Sequence, residues 1–315
     1  MKKMVLMLEN HAPLPPARPG WVAAICPHDD YLYAGRIYRP VFSGLQAREV
    51  VIIGVTHGGV RRAMGNPRGK IILDTHDRWS GLGKAVVVSG LRNWLVKRMP
   101  ESMCLVSDRA HRMEHSIEAM IPFLQYYRPG IRITPIMVTA MSPSRLAEVS
   151  RTLAVQLAAW MRDRRLKPVR DVVFLISADG NHYGSDFHNA PYGTDRNARA
   201  RAEGFERNLI KECLQGELSG PKLERLQQRL DPEQTSHAPL WCGRYSIPFG
   251  LTTVLNLMEQ WSPGLRISGS LTGWSDTWLE GVLPLRHTRL GITAPFSLEH
   301  WVSFFSMVFH LSSEG

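Results

Sequence analysis

The sequence predicts an α/β fold, a single large domain over residues 1–315 with a mostly parallel central sheet flanked by helices. Three observations predict it. The stretches WVAAIC (21–26), VVIIGV (50–55) and VVFLIS (172–177) are short, almost wholly apolar and bounded by Gly, Pro or Asp. Such runs are the mark of strands buried on both faces of a parallel sheet. Amphipathic helical patterns alternate with them, as crossover connections require. At 315 residues and 44% hydrophobic the chain can bury a large core, and no Pro/Ser/Gly-rich linker or internal repeat divides it.

Taken in order, IYRPVFSGLQA (37–47) predicts a short crossover helix between the first two strands. GKIILD (69–74) and KAVVVS (84–89) predict strands on either side of the turn-rich THDRWSGLG, and GLRNWLVKRM (90–99) a helix. In EHSIEAMIPFLQYY (114–127) the apolar residues Ile117, Met120, Ile121 and Leu124 fall at i, i+3, i+4 and i+7, the pattern of a core-facing helix. IRITPIMV (131–138) predicts a strand and SRLAEVSRTLAVQLAAWM (144–161) a long amphipathic helix. Helices are expected over 196–215 and 247–261, and one or two more strands beyond residue 262.

Composition narrows the function classes. The net charge is +10, but the basic stretches MRDRRLKPVR (161–170) and DRNARARAEGFERN (195–208) interleave acidic residues, the pattern of a solvated basic face. With no aromatic-studded RNA motif and no Cys/His finger spacing, nucleic acid is not expected as a partner. The N-terminus reaches Glu9 and Asn10 too early for a signal peptide, and WVSFFSMVFHL (301–311) is too short to span a bilayer. A soluble, cytoplasmic protein without membrane partners is therefore expected. Cys26, Cys104, Cys213 and Cys242 form no CxxC pair, which fits a reducing compartment in which a reactive cysteine acts singly.

His28, His57, Asp179 and His182 all lie just past the ends of the three apolar strands. Ligands gather at the carboxyl ends of parallel strands, and histidine with aspartate at one edge suits a metal site. Any one of these histidines alone is as readily a hydrogen-bonding residue. Their joint placement is what points to a shared pocket.

Two further constellations stand out. In DRAHRMEHSIE (108–118) a helical wheel sets His111, His115 and Glu118 away from the stripe centred on Ile117, facing solvent or a pocket. His-x-x-Glu-His is also the inverted zinc-peptidase signature, with His111 and His115 as ligands and Glu114 as base; a capped, solvated helix start explains it equally well. In TSHAPLWCGRYSIPFGL (235–251), Cys242 sits in a Cys-Gly-Arg turn where helix-terminal amides and Arg244 would favour the thiolate. A buried cysteine serving as a small hydrophobe is the alternative.

The ordered series CPHDDYLYAG, GVTHGG, WSGLGKAVV, DRAHRMEHSIEAMIPFLQ, ISADGNHYG and WCGRYSI resembles the Memo family, which includes the proteins called AmmeMemoRadiSam system protein B, over about residues 20–255. The resemblance implies a fold similar to class III extradiol dioxygenases, which hold non-haem iron at strand ends. It maps the family's pocket onto His28, His57, Asp179, His182 and Cys242, and implies a radical-SAM enzyme as a system partner. The chain departs from the family at Asp29 and Asp30, where small residues are usual, and at Gly58 and Gly59, where a further histidine is common; the pattern fades after residue 262.

The resulting expectation is a metal-dependent, dioxygenase-like oxidoreductase taking a small-molecule or peptide ligand. His28, His57, His182 and Cys242 would hold the metal, Fe(II) or Cu by the softness of the sulfur, with Zn also compatible. His115 and Asp179 would move protons, and Asp29, Asp30, Tyr31 and Arg244 would contact substrate. The thiolate stands where the dioxygenases use a carboxylate, which favours a redox role other than ring cleavage. Two other classes compete: a non-catalytic module binding a phosphorylated peptide or other anion through the same pocket, and a zinc hydrolase built on His111, Glu114 and His115.

Overall fold

In the computed structural model, which describes residues 2–11, 15–279, 281–285, 290–293 and 297–312, the apolar stretches become strands buried along their whole length. The strands are β1 (Trp21–Cys26), β2 (Glu49–Val55), β3 (Ile71–Leu73), β4 (Arg78–Trp79), β5 (Val86–Val88), β6 (Cys104–Val106), β7 (Arg132–Val138), β8 (Val172–Ser177), β9 (His182–Tyr183), β10 (Gly216–Glu217), β11 (Arg266–Asp276) and β12 (Trp301–Ser312). The helices are α1 (Lys2–His11), α2 (Tyr31–Ala34), α3 (Tyr38–Ser43), α4 (Gly58–Ala63), α5 (Gly90–Arg98), α6 (Asp108–Met113), α7 (Ile121–Tyr127), α8 (Pro143–Asp163), α9 (Arg196–Cys213), α10 (Gly220–Arg229) and α11 (Ser246–Trp261).

The sheet order is β10-β11-β12-β1-β8-β2-β7-β3-β6, with β1, β8, β2 and β7 mutually parallel at its centre. Because side chains alternate along a strand, each central strand feeds two cores. Val51, Ile53, Phe174 and Ile176 pack with α5, α8, α10 and α11 on one face, while Val50, Ile52, Val173 and Leu175 pack with α1, α3 and α7 on the other. The mostly parallel sheet flanked by helices is thus the architecture the sequence predicts. None of the described helices is long and apolar enough to cross a membrane.

Two features differ from the sequence reading. The predicted helix over 114–127 is broken, since Glu114 is extended (φ −98°, ψ 136°), a 3-10 turn covers Glu118–Met120, and only Ile121–Tyr127 is α-helical. The cause is local competition: the Glu114 carboxylate accepts the N–H groups of His115 and Ser116, which therefore do not enter a helix ladder. Ile117, Met120, Ile121 and Leu124 are nonetheless buried, as their spacing implied. Helices α1 and α10 were not expected; α10 inserts Leu223 and Leu226 into the core.

The strands expected beyond residue 262 are β11 and β12; β12 runs antiparallel against β1 and also pairs with β9, Val302 facing His182. Gly184 permits this approach: it has φ +128°, and a Cβ there would lie 1.9 Å from the Glu299 carbonyl oxygen. Helix α9 is started by Asp195, whose carboxylate accepts the Ala198 N–H at 2.7 Å. Asp195→Ala is expected to lower stability by about 1 kcal/mol in urea denaturation; an unchanged midpoint would show the cap to be dispensable.

Candidate metal centre

The carboxyl ends of β1, β2 and β8 are level with one another, because Ile176 of β8 lies opposite both Ile25 and Ile53. His28, Asp179 and His57 leave these ends within one cluster, and His115 joins them from the broken helix. The ring centroids of His28 lie 5.2 Å from His57 and 5.5 Å from His115, while His57 and His115 stack at 4.5 Å.

Hydrogen bonds fix which nitrogen each ring presents. The Ser177 hydroxyl donates to the Ser116 carbonyl, so its oxygen accepts from His28 Nδ1 at 2.8 Å. His28 Nε2 then carries a lone pair and faces Asp179 Oδ2 at 3.2 Å and Cys242 Sγ at 3.6 Å. Asp179 Oδ1 accepts the His28 and Asp29 amides at 2.8 and 3.1 Å, and the Cys242 sulfur accepts the Asp179 amide at 3.0 Å. His57 is set in the same way: Glu114 Oε1 accepts from its Nδ1 at 2.7 Å, and Oε2 accepts from its backbone N–H at 2.8 Å. His182 donates from Nδ1 to the Gly180 carbonyl at 3.2 Å. All three rings therefore offer Nε2 outward, the arrangement in which an outer partner fixes a ligand imidazole.

Burial sets the charge states. Burial, and then His57 and His115, push the His28 pKa well below the usual range; burial raises that of Asp179. These directions favour a neutral His28 imidazole and oppose the charged form of Asp179, whose Oδ2 faces His28 Nε2 at 3.2 Å. Burial would also raise Glu114, but hydrogen bonding from the His57 ring, that ring's charge and the His57 and Ser116 amides hold it at about 2. Cys242 departs from the sequence reading. Burial, and then Asp179, raise its pKa well above the ordinary thiol value, while Arg244 stacks on Tyr245 at 4.9 Å. Without a cation the resting group is a thiol; a coordinating cation would displace its proton.

Two overlapping sets have ligand atoms within 4.8 Å of one another: His28, His57 and His115, and His28, Asp179 and Cys242. Imidazole, carboxylate and thiol are the donors that transition metals take, and the point where His28 Nε2, Asp179 Oδ2 and Cys242 Sγ face one another marks where a cation would sit. His182 belongs to neither set. It lies in the wall of a cavity of about 270 Å³ shared with His57, Cys242, Arg61, Phe187 and Arg244.

The other expected contacts line a second cavity, of about 480 Å³, on the His28 and His115 side. Asp29, Asp30 and Tyr31 are in its wall. Asp30 Oδ2 already accepts from Thr293, and the Tyr31 hydroxyl donates to the Ala119 carbonyl at 2.7 Å. His111 is not beside His115. It is buried on α6 with Nε2 3.1 Å from the Ile72 carbonyl and its ring edge-on to Trp79, so it faces neither solvent nor the cluster. With Glu114 committed to His57, the His-x-x-Glu-His run does not assemble as a three-residue site.

Sequence reasoning missed Ser177, Arg61 and Phe187, and it missed that Glu114 serves His57 rather than His111. It also missed Glu206 on α9, whose buried carboxylate accepts from Trp241 Nε1 (2.7 Å), Ser303 Oγ (2.7 Å), Trp274 Nε1 (3.0 Å) and the Asn181 amide (3.0 Å). Glu206 thereby ties the segment carrying Asp179 and His182 to the turn carrying Cys242. No local pattern signals this, because the partners lie 25 to 97 residues away.

Fold and site define an α/β protein with nitrogen, oxygen and sulfur donors converging on the carboxyl edge of its sheet. The chain belongs to the Memo family: the family profile described as Memo-like protein matches residues 2–240. A MEMO1 family protein of Pyrococcus horikoshii is 27% identical over 206 residues, 63% of this chain and 66% of the relative. MEMO1 family proteins of Archaeoglobus fulgidus and Methanosarcina barkeri are 30% and 32% identical, over 52% and 51% of this chain and 56% and 55% of their own lengths. The chain thus spans between half and two thirds of the length of these relatives.

Proposed function

We propose that this chain is a metal-dependent oxidoreductase in which Fe(II) or Cu is held by His28 and Cys242 with His57 from the neighbouring strand. The observation that carries the reading is the convergence of His28 Nε2, Asp179 Oδ2 and Cys242 Sγ, with the His57 and His115 rings packed against His28. When bound, such a metal supplies open positions for a chelating substrate and a centre for electron transfer. The chain's own residues do the rest. Ser177 and Glu114 hold two imidazoles in one tautomer; Asp179 Oδ2 takes up or returns a proton beside the reacting atoms; Phe187 and Trp241 give the smaller cavity an apolar part of its wall. Zn would fit the same donors but would not support redox chemistry.

A binding module is the second reading, and one observation favours it. Arg61 and Arg244 face the smaller cavity, no acidic side chain lines it, and neither guanidinium has an ion-pair partner among the described residues. The hydrolase reading has no comparable support, because His111 is turned away.

Metal analysis of protein purified without tags or chelators tests the proposal. Near-stoichiometric iron or copper is expected, lost in Cys242→Ala and His57→Ala. Metal-free protein that binds phosphate-bearing ligands tightly would replace it with the binding module.

A further inference from the structure

The two ligand sets share one residue, and their members differ sharply in exposure. The side chain of His115 is 58% exposed and that of His57 31%, whereas His28 and Asp179 are 1% and 5% exposed. The set of three imidazoles therefore opens to solvent, while the His28, Asp179 and Cys242 set lies inside it. His28 has a single lone pair to give, because Nδ1 is committed to Ser177. One imidazole nitrogen coordinates one ion at a time, so the two sets are alternative positions for a single ion rather than a two-metal site.

We infer that His115, with His28 and His57, forms an outer capture position from which an incoming divalent transition-metal ion passes to the inner position at His28, Asp179 and Cys242. This inference rests on the metal-binding reading above and adds a route and a ligand to it. A hydrated ion meets the exposed His115 ring first and exchanges waters for imidazole nitrogens while still in contact with solvent. Transfer inward then breaks its bond to His115 and forms one to Cys242 Sγ, with His28 and His57 bound throughout and Asp179 Oδ2 beside the ion. The thiol proton leaves to solvent as the metal–sulfur bond forms, and any proton on Asp179 follows the same path. No change of oxidation state is involved. The stacking of His57 on His115, with Glu114 bonded to the first and 3.6 Å from Nδ1 of the second, keeps the outer rings together before the ion arrives.

Stopped-flow mixing of the metal-free full chain with Co(II) tests this, since cobalt d–d absorption reports nitrogen and oxygen ligation while a near-ultraviolet charge-transfer band reports the Co(II)–thiolate bond. In the wild type the d–d signal is expected first and the thiolate band after a lag, ending at one Co(II) per chain. In His115→Ala the early phase disappears and the thiolate band grows about tenfold more slowly, while equilibrium affinity changes by less than about threefold. In Cys242→Ala the d–d signal still appears in excess Co(II), without the thiolate band, and the ion is lost on gel filtration; the His115→Ala/Cys242→Ala double variant loses most binding even in excess Co(II). A thiolate band rising together with the d–d signal, at the same rate in His115→Ala, would overturn the capture position and leave the metal reading standing. A wild-type protein that takes up no Co(II), iron or copper would overturn both.

Discussion

Glu206→Ala is expected to lower the stability of the folded chain by about 4 kcal/mol and to loosen the metal centre at a distance. The carboxylate is fully buried and accepts four donors, from Trp241, Trp274, Ser303 and Asn181. Alanine leaves the Trp241, Trp274 and Ser303 donors in the protein interior without this acceptor, while the Asn181 amide keeps the Ser303 hydroxyl at 2.7 Å, and an unmade buried hydrogen bond costs about 1–3 kcal/mol. Some of the loss is offset, because burial raises the Glu206 pKa and so works against its charged form. The effect reaches the site through two neighbours. Asn181 stands between Asp179 and His182, and its side-chain oxygen accepts the Leu240 amide at 2.8 Å; Trp241 immediately precedes Cys242. Urea denaturation measures the stability change, and the rate at which Cys242 reacts with a thiol reagent measures the loosening. A loss below about 1 kcal/mol, with thiol reactivity unchanged, would show that Glu206 does not hold these segments together.

Glu114→Ala is expected to cost about 3 kcal/mol at neutral pH and to flatten the acid limb of the stability profile. The carboxyl falls from an ordinary 4.5 to about 2 in the folded chain. Because the folded pKa is the lower one, the folded state binds this proton less readily than the unfolded state. Its contribution is complete above about 4.5 and is lost as pH falls toward about 2. The side chain is 2% exposed, so solvent screens little of the interaction. Stability of the wild type minus that of the variant, measured in urea at several acidic pH values, should shrink through this window; other carboxylates are common to both proteins and cancel. The same substitution frees the His57 ring to choose either tautomer, and metal affinity should drop about 10- to 100-fold. A difference that does not vary with pH, together with unaltered metal binding, would refute the assigned role of Glu114.

Much of the architecture was legible because burial has a local signature. The runs at 21–26, 50–55 and 172–177 are apolar at every position since both faces of each strand are covered, and that alone identifies them as central parallel strands. From there His28, His57 and Asp179 follow, as residues just past such strands must emerge at one edge. Cys242 was found from its turn, yet its charge state was misread, because a sequence shows the nearby Arg244 and does not show the desolvation or Asp179. The helix over 114–127 was misread for a related reason. Its apolar spacing was true of the core contacts, while the carboxylate of Glu114 had a competing use for the backbone amides of the next two residues.

By itself, then, the sequence determined the α/β class, the central strands and the arrival of histidine and aspartate at a common edge, since each depends on periodicity and burial over a few residues; Cys242 joined them only through the family resemblance. Only the tertiary structure decided what those groups do to one another. The pairing of His57 with Glu114 spans 57 positions, that of His28 with Ser177 spans 149, and the bracing of His182 by β12 depends on a strand returning beside β1. Hydrogen-bond partners so far apart in the chain are set by sheet order and side-chain direction, which no local pattern encodes. They are also what fix the tautomers and the accessible lone pairs from which the proposed metal chemistry follows.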